Sequence, residues 1–331
     1  MRSLDVHTHI LPPELPRWAP VRLERTGDCR ARMVREDGSF FREVQSNCWD
    51  PRQRLIECDA SGVGAQVLST VPVMFSYAAP AQRARDLSRL LNDHIASICR
   101  ENPRRFLGLG TLPLQDPDAA VAELERCVGE LGLCGVQIGS HVNDRNLSEP
   151  ALFPVFSRAA ALGAAVFVHP WDMMGQSKMQ KYWLPWLVGM PAEVSLAICS
   201  VIFGGVLERL PSLRICFAHG GGAFPGTLGR IEHGFHARPD LVAVDNPHPP
   251  SRYLGRIYVD SLVHDARALR LVLDTFGPAR VALGSDYPFP LGEELPGALI
   301  DTLDLPPPAR DRLRAGTALE WLGKSASDHD L

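Results

Sequence analysis

The chain alternates between short apolar segments and longer amphipathic stretches, and this alternation repeats eight times within 331 residues. The apolar segments are rich in Val, Ile, Leu and Phe and are too short for helices, which is typical of buried parallel strands. The amphipathic stretches 80–101, 116–131, 191–209 and 265–276 predict helices between them. The eight segments are SLDVHTH (3–9), AQVLST (65–70), RFLGLGTLP (105–113), GVQIGS (135–140), AAVFVHP (164–170), RICFAHG (214–220), IYVDSL (257–262) and RVALGSDYP (280–288).

Eight consecutive strand-then-helix units predict an α/β fold, a (β/α)8 TIM-type barrel. The alternative architecture is a doubly wound open sheet, but no G-x-G-x-x-G follows the first predicted strand. The length and the 45% content of hydrophobic residues permit one large domain or two smaller ones. We predict that residues 1–331 form a single barrel domain.

Residues 14–50 fit neither part of the repeat. They are polar, and the EDG within MVREDGSFFREV (33–44) predicts a hairpin turn between two short strands. We interpret 14–50 as a small β insertion after the first strand, covering one mouth of the barrel.

Composition excludes several classes of partner. The formal net charge is -4 and no basic run occurs, so nucleic acid is not an expected partner. No apolar stretch of the roughly 18 residues that span a membrane is visible, and no secretory signal precedes the first strand. The eight cysteines form no C-x-x-C pair. They indicate reduced thiols of a cytoplasmic protein and not a disulfide framework or a thiolate zinc site.

Five polar groups stand where apolar segments end: His7, His9, His169, His219 and Asp286. His7 and His9 point to one face of a strand, so they form either half of a metal site or a pair of surface histidines. The carboxyl ends of barrel strands converge on one face, where all five groups would meet. Burying them without a function would be costly, so the set predicts a metal site. Imidazole and carboxylate ligands suit Zn²⁺.

This arrangement, with H-x-H on strand one, His on strands five and six and Asp on strand eight, resembles that of the amidohydrolase superfamily. Longer stretches closely resemble one of its metal-dependent decarboxylase families, the 2-amino-3-carboxymuconate-6-semialdehyde decarboxylases of tryptophan (kynurenine) catabolism. The resemblance runs nearly end to end and is closest to the animal form. The stretches are NCWDP (47–51), STVPVMFSY (69–77), HPWDMM (169–174), KYWLPWLVGMPAE (181–193), HGGGAFP (219–225) and GSDYPFPLGE (284–293).

The resemblance implies conversion of 2-amino-3-carboxymuconate 6-semialdehyde into 2-aminomuconate 6-semialdehyde with loss of carbon dioxide. The alternatives are another one-metal enzyme of the superfamily, either an aromatic acid decarboxylase or a lactone hydrolase. A non-catalytic relative would have no need of all five polar groups. Two chemical routes stay open: addition of hydroxide across the conjugated substrate, and direct coordination of the substrate by the metal as a Lewis acid.

We expect one zinc per chain, bound by a set of four ligands, and no organic cofactor. His219 is either a fifth ligand or, as the resemblance implies, an acid–base residue beside the metal. Many relatives hold a second metal through a modified lysine on strand four, but this chain has Gln137 there and no lysine. The four ligands are His7, His9, His169 and Asp286.

The resemblance also implies that Arg42 and Arg230 bind substrate carboxylates, which match the planar guanidinium group. From the sequence alone, a solvated surface arginine is the favoured interpretation of each. Trp183 and Phe289 are expected to face the substrate, with a core position as the alternative. A helix beginning near Ala223 would place Arg230 on the outside of the barrel. The resemblance implies a homodimer, in which Arg230 would serve the active site of the other subunit.

Overall fold

The structure, a computed structural model, describes residues 2–329 and 331. Within these residues the chain forms thirteen strands, and their order along the chain sets the labels used below. They are β1 (Ser3–Ile10), β2 (Val21–Gly27), β3 (Arg30–Arg35), β4 (Phe40–Gln45), β5 (Val63–Thr70), β6 (Phe106–Gly110), β7 (Gly135–Gly139), β8 (His141–Val142), β9 (Arg145–Asn146), β10 (Ala165–His169), β11 (Arg214–Phe217), β12 (Ile257–Asp260) and β13 (Val281–Ala282).

The same described residues form twelve α-helices, and two π-helical segments, Pro185–Gly189 and Arg312–Gly316, lead into the fifth and the last of them. The helices are α1 (Pro51–Ser61), α2 (Ala81–Glu101), α3 (Pro117–Gly129), α4 (Phe153–Leu162), α5 (Met190–Phe203), α6 (Val206–Arg209), α7 (Phe224–Ala237), α8 (Pro239–Val242), α9 (Ala266–Phe276), α10 (Ala298–Asp301), α11 (Pro307–Asp311) and α12 (Thr317–Leu322).

Eight parallel strands form one sheet in the order β1, β5, β6, β7, β10, β11, β12, β13. The last strand returns to the first, because the backbone N–H groups of Val6 and His9 donate to the carbonyl oxygens of Leu283 and Tyr287 at 2.9 and 2.8 Å. The predicted (β/α)8 barrel is therefore confirmed and the open-sheet alternative is wrong. Nearly every residue of these strands is buried, which explains why they are continuous apolar runs in the sequence.

Three predicted helices, now α2, α3 and α9, have the expected limits to within two residues. Asp116 caps α3 by accepting the N–H of Ala119 at 3.2 Å. The predicted helix 191–209 is instead two helices, α5 and α6, because Gly204 and Gly205 interrupt it and Gly205 has a φ of 67°. A side chain would disfavour that left-handed conformation.

One apolar helical stretch corrects an expectation. Pro185–Phe203 is long and apolar enough to cross a membrane by length and composition alone, with a mean hydropathy of 1.8. Glu193 interrupts the run in the sequence, and its buried carboxylate accepts the N–H of Met174 at 2.6 Å. Half of the stretch is buried inside the protein, and Val194 and Ile198 belong to the largest apolar core. A helix buried in the core of a protein can be as long and as apolar as a membrane-spanning helix, and Pro185–Phe203 is such a core helix.

The region predicted as a β insertion contains an antiparallel sheet of three strands, β2, β3 and β4. The EDG sequence makes the turn between β3 and β4, where the N–H of Arg35 donates to Ser39 O at 2.8 Å. The buried side chains of this sheet share one apolar cluster with Met74 and with the partly buried Phe289, which lie in barrel loops. This packing holds β4 against the carboxyl-terminal mouth of the barrel.

Candidate active site

Three imidazoles and one carboxylate converge at the carboxyl ends of the barrel strands. The ring centroids of His7, His9 and His169 lie 5.0 to 5.1 Å from one another. Oδ1 of Asp286 lies 3.1 Å from Nε2 of His9 and 3.5 Å from Nε2 of His7. All four side chains are buried, and one potential ligand atom from each lies within 4.8 Å of the others. The structure thus brings together the four residues that the sequence predicted as metal ligands.

Hydrogen bonds fix the orientation and tautomer of the three imidazoles. Nδ1 of His7 lies 2.7 Å from Oδ2 of Asp260, while Nδ1 of His9 and of His169 lies 3.0 and 2.9 Å from a backbone carbonyl oxygen. Because an ionised carboxylate and a carbonyl only accept, each Nδ1 donates and each Nε2 presents its lone pair. These three Nε2 atoms are buried and make no hydrogen bond. Converging lone pairs of this kind fit a divalent cation.

The charges of the group also favour metal binding. Burial lowers the pKa of His9 and holds that of His169 well below its usual value, so both imidazoles are neutral and able to act as ligands. Burial alone would raise the pKa of Asp286, but the neighbouring imidazoles of His219, His7 and His9 hold it well below the usual range. Burial lowers the pKa of His7, but the hydrogen bond from its Nδ1 to Asp260 and the charge of Asp286 outweigh burial and raise that pKa. The site therefore contains an ionised carboxylate beside two neutral imidazoles, and a metal would compete with a proton for His7.

His219 lies beside this group of four. It follows β11 at the start of a 3₁₀ turn, with a φ of 56°. Its Nε2 is 3.9 Å from Oδ2 of Asp286, and its ring centroid is 5.2 Å from those of His7 and His169. Nδ1 of His219 is buried and has no hydrogen-bond partner among the described residues.

Glycines permit two close approaches around the site. Gly220, Gly221 and Gly222 have φ angles of 60°, 80° and 62°, so the tight turn after His219 requires all three. A Cβ atom on Gly284 would lie 2.7 Å from Cβ of Asp260 and 2.9 Å from that of His7. The absence of a side chain at Gly284 therefore lets Asp260 reach the His7 ring.

Arg42 extends from β4 into the cavity that His9, His169 and Asp286 also line. Its guanidinium lies over three aromatic rings, those of Phe41, Trp186 and Phe289, at 5.1, 5.8 and 4.7 Å from the ring centroids. Across the described part of the chain it has no ion pair or hydrogen bond. Burial lowers the pKa of Arg42 more than the charge of Asp286 raises it, so the guanidinium has lost hydration and is only partly compensated by a nearby anion.

The two predicted aromatic residues line the same cavity. Phe289 packs on the His9 ring with centroids 5.6 Å apart. Trp183 is 43% exposed, has a φ of 56° and lies 5.9 Å from the Trp186 ring. Arg230 is elsewhere: it is exposed on α7, and the cavity of its own chain does not include it.

The sequence interpretation missed Asp260 and the supporting role of Gln137, both of which lie beside the site. Asp260 ends β12 within IYVDSL, and an acidic residue closing an apolar strand is the same signal that identified Asp286. Gln137 lies buried in β7, where it accepts from Oγ of Ser69 at 2.7 Å and donates to Thr70 O at 2.9 Å. The hydrophobic strand GVQIG gives no indication that this amide supports the carbonyl to which His9 donates.

Comparisons with known proteins identify the family of the chain. The model of the amidohydrolase family matches residues 4–324. A 2-amino-3-carboxymuconate-6-semialdehyde decarboxylase from Dictyostelium discoideum is 56% identical, covering 97% of this chain and 91% of the relative. The enzyme of the same name from Caenorhabditis elegans is 37% identical over 94% and 91% of the two chains.

A solved structure has the same fold. The 5-carboxyvanillate decarboxylase of Novosphingobium aromaticivorans, a mutant form crystallised with manganese and 3-methoxy-4-hydroxy-5-nitrobenzoic acid, is 25% identical. It superposes with a TM-score of 0.78 over 84% of this chain and 82% of that structure. The chain therefore belongs to the amidohydrolase family and, within it, to the 2-amino-3-carboxymuconate-6-semialdehyde decarboxylases.

Proposed function

We propose that this protein decarboxylates 2-amino-3-carboxymuconate 6-semialdehyde to 2-aminomuconate 6-semialdehyde, in tryptophan catabolism. One observation carries the proposal beyond family membership. Three imidazole nitrogens without a hydrogen-bond partner among the described residues converge with the Asp286 carboxylate, and His9, His169 and Asp286 line the same cavity as the guanidinium of Arg42. A metal group and a cation without an anion suit a substrate that carries carboxylates.

One Zn²⁺ per chain would be bound by His7, His9, His169 and Asp286, because three imidazoles and a carboxylate suit zinc. Bound there, the metal would supply positive charge that polarises the conjugated substrate. Gln137 lies in β7, the fourth strand of the barrel, at the position where relatives with two metals have a lysine. Its presence there favours a single metal. The manganese in the related decarboxylase makes Mn²⁺ the rival to test.

Arg42 would bind a substrate carboxylate through two parallel N–H···O bonds. This pairing would replace the interactions with water that the guanidinium lost on burial. The rings of Trp183 and Phe289 would pack on the flat conjugated chain and exclude water from it. These contacts hold the substrate with the carbon that loses its carboxylate close to His219.

His219 would handle the proton. Protonated His219 would give its proton to C3, which makes C3 tetrahedral and leaves the positive charge on the 2-amino group as an iminium. The bond between C3 and its carboxylate would then break, carbon dioxide would leave, and the electron pair of that bond would re-form the C2=C3 double bond and neutralise the iminium. Nε2 of His219, 3.9 Å from Oδ2 of Asp286, lies close enough to the metal group for this role.

The protein would act as a homodimer in which Arg230 enters the partner's active site. Two observations support this arrangement. Arg230 is exposed on α7, too far round the barrel to line its own cavity. Tyr182, Leu187 and Val188 are apolar and 81%, 51% and 55% exposed just before α5, and α5 packs against α7. An apolar surface beside a free arginine suits a two-fold interface.

We place the enzyme in the cytoplasm, where thiols stay reduced. All eight cysteines are free, and Cys48, Cys58, Cys127, Cys134 and Cys216 are buried. Burial raises the pKa of Cys48 to about 12, which keeps this thiol protonated and unreactive.

The decisive experiment mixes zinc-loaded protein with freshly prepared 2-amino-3-carboxymuconate 6-semialdehyde and follows both absorbance loss and carbon dioxide release. We expect equimolar carbon dioxide and 2-aminomuconate 6-semialdehyde, close to one zinc per chain, and little turnover of 5-carboxyvanillate. Faster decarboxylation of 5-carboxyvanillate would instead identify an aromatic acid decarboxylase. Manganese-loaded protein with higher turnover than the zinc form would overturn the choice of metal.

A further inference from the structure

We propose that Asp260 is a positioning residue, which sets the tautomer of the ligand His7 and the backbone of the acid–base residue His219 with one carboxylate. The inference rests on the proposed function for the roles of these two histidines. Asp260 is the last residue of β12 and is fully buried between β1 and the turn after β11.

Four donors saturate the two oxygens of Asp260. Oδ2 accepts from Nδ1 of His7 at 2.7 Å and from the backbone N–H of His219 at 2.9 Å. Oδ1 accepts from the N–H of Gly220 at 2.8 Å and from that of Leu262 at 3.1 Å. Each oxygen therefore receives two hydrogen bonds, and only a group with two acceptors and no donor satisfies all four.

The bond to His7 determines which ring nitrogen is available to a metal. While Asp260 accepts from Nδ1, Nε2 keeps its lone pair and points towards His9, His169 and Asp286. The bonds to the turn determine the direction of His219. Its φ of 56° and the 60° of Gly220 form a left-handed pair, a conformation that non-glycine residues rarely adopt. Two N–H bonds to Asp260 hold this pair in place.

The alternative is that Asp260 only caps a turn, because Leu262 lies two residues beyond it. An asparagine keeps the shape of the side chain and separates the two interpretations. Its amide offers one oxygen, which accepts, and one NH2 group, which only donates. One of the two pairs of donors that Asp260 satisfies would therefore face the NH2 group and lose its acceptor. If that pair includes Nδ1 of His7, the ring has to accept there, and Nε2 becomes protonated and stops being a ligand. If it is the other pair, the N–H groups of Gly220 and Leu262 lose their acceptor and the turn shifts His219.

The test compares Asp260→Asn with Glu123→Gln. Glu123 is a buried carboxylate, 3% exposed, that accepts from Nδ2 of Asn92 at 2.7 Å in the helical layer, away from the histidines. Zinc affinity is measured by chelator competition without substrate, and kcat and KM at saturating zinc. We expect Asp260→Asn to weaken zinc binding about 10–100-fold and to lower kcat more than it changes KM. Glu123→Gln should lose thermal stability while its zinc affinity stays within about threefold of wild type.

Wild-type zinc affinity and kcat in Asp260→Asn would reduce Asp260 to a turn cap and overturn the proposal. A wild-type chain that decarboxylates nothing, combined with weak zinc binding in Asp260→Asn, would reject the proposed function and keep the positioning role for His7. If Asp260→Asn does not fold, ¹⁵N NMR of zinc-loaded wild-type protein decides. The His7 ring should then be protonated at Nδ1, with a slowly exchanging proton, and a ring protonated at Nε2 would overturn the proposal.

Discussion

Replacing Arg42 should separate function from stability. Each hydrogen bond to a charged group contributes about 1.5–3 kcal/mol, and a bidentate carboxylate pair contains two of them. Arg42→Met loses both, so at about 1.4 kcal/mol per tenfold change we expect kcat/KM to fall by roughly 10²–10⁴-fold. Arg42→Lys keeps the charge but not the planar pair of donors, and should fall by roughly 10–10²-fold.

The expected effect on stability has the opposite sign. Without substrate, no anion among the described residues forms a hydrogen bond with Arg42, and the charge of Asp286 only partly offsets the hydration that burial has removed. A methionine would keep apolar contact with Phe289 and Trp186 and would leave no unpaired charge. We therefore expect the melting temperature of Arg42→Met to equal or exceed that of wild type, as is common when a binding residue is replaced.

The matched control is Arg35→Met. The Arg35 guanidinium lies 4.8 Å from the centroid of Phe41, a ring that Arg42 also contacts, but Arg35 is exposed and donates to Phe40 O at 3.0 Å. Steady-state decarboxylation and thermal unfolding are measured on all variants. Arg35→Met should keep kcat/KM within about twofold. An Arg42→Met enzyme within threefold of wild type, or one whose loss of activity only follows unfolding, would refute the reasoning.

His219→Ala should keep one metal per chain but lose about 10²–10⁴-fold in kcat, and a metal-free variant would show that His219 is a ligand. Burial raises the pKa of Glu293 from 4.5 to about 7, so the folded protein binds a proton that the unfolded chain releases between these values, and stability falls as pH rises through that window. Glu293→Gln should remove this loss and stabilise the protein at pH 8 by about 1–3 kcal/mol in urea unfolding; equal stability curves would contradict it. Coexpressed Arg42→Ala and Arg230→Ala chains should regain about a quarter of wild-type sites if Arg230 serves the partner, and no recovery with confirmed subunit exchange would disprove sharing.

The barrel was predictable because buried parallel strands require continuous apolar runs, and a polar residue at the end of such a run is conspicuous. His7, His9, His169 and Asp286 were found in this way. Strand β2 was not predicted, because its sequence VRLERTG is polar and mostly exposed, so tertiary packing on β3 decides its conformation.

The supporting residues were harder to predict, since their roles depend on contacts across the sequence. Asp260 acts on a histidine 253 positions away. No local pattern indicates that pairing, although the acidic end of IYVD gave a usable signal. The sequence Gly204-Gly205 marks the break between α5 and α6. The prediction of one helix over 191–209 relied on the long helical pattern of this stretch and gave the two glycines too little weight.

The barrel closes where its last strand, β13, lies beside its first strand, β1. β13 has two residues, so few backbone bonds hold it to β1, yet His9 and Asp286 lie on opposite sides of this junction. A cation bound by both residues would link the first and the last strand of the barrel, and its binding free energy would add to the stability of the closed barrel. During synthesis a nascent chain is unable to bind that cation with its full ligand set until Asp286 has left the ribosome. Metal retention would thus distinguish chains that contain Asp286 from chains that end before it.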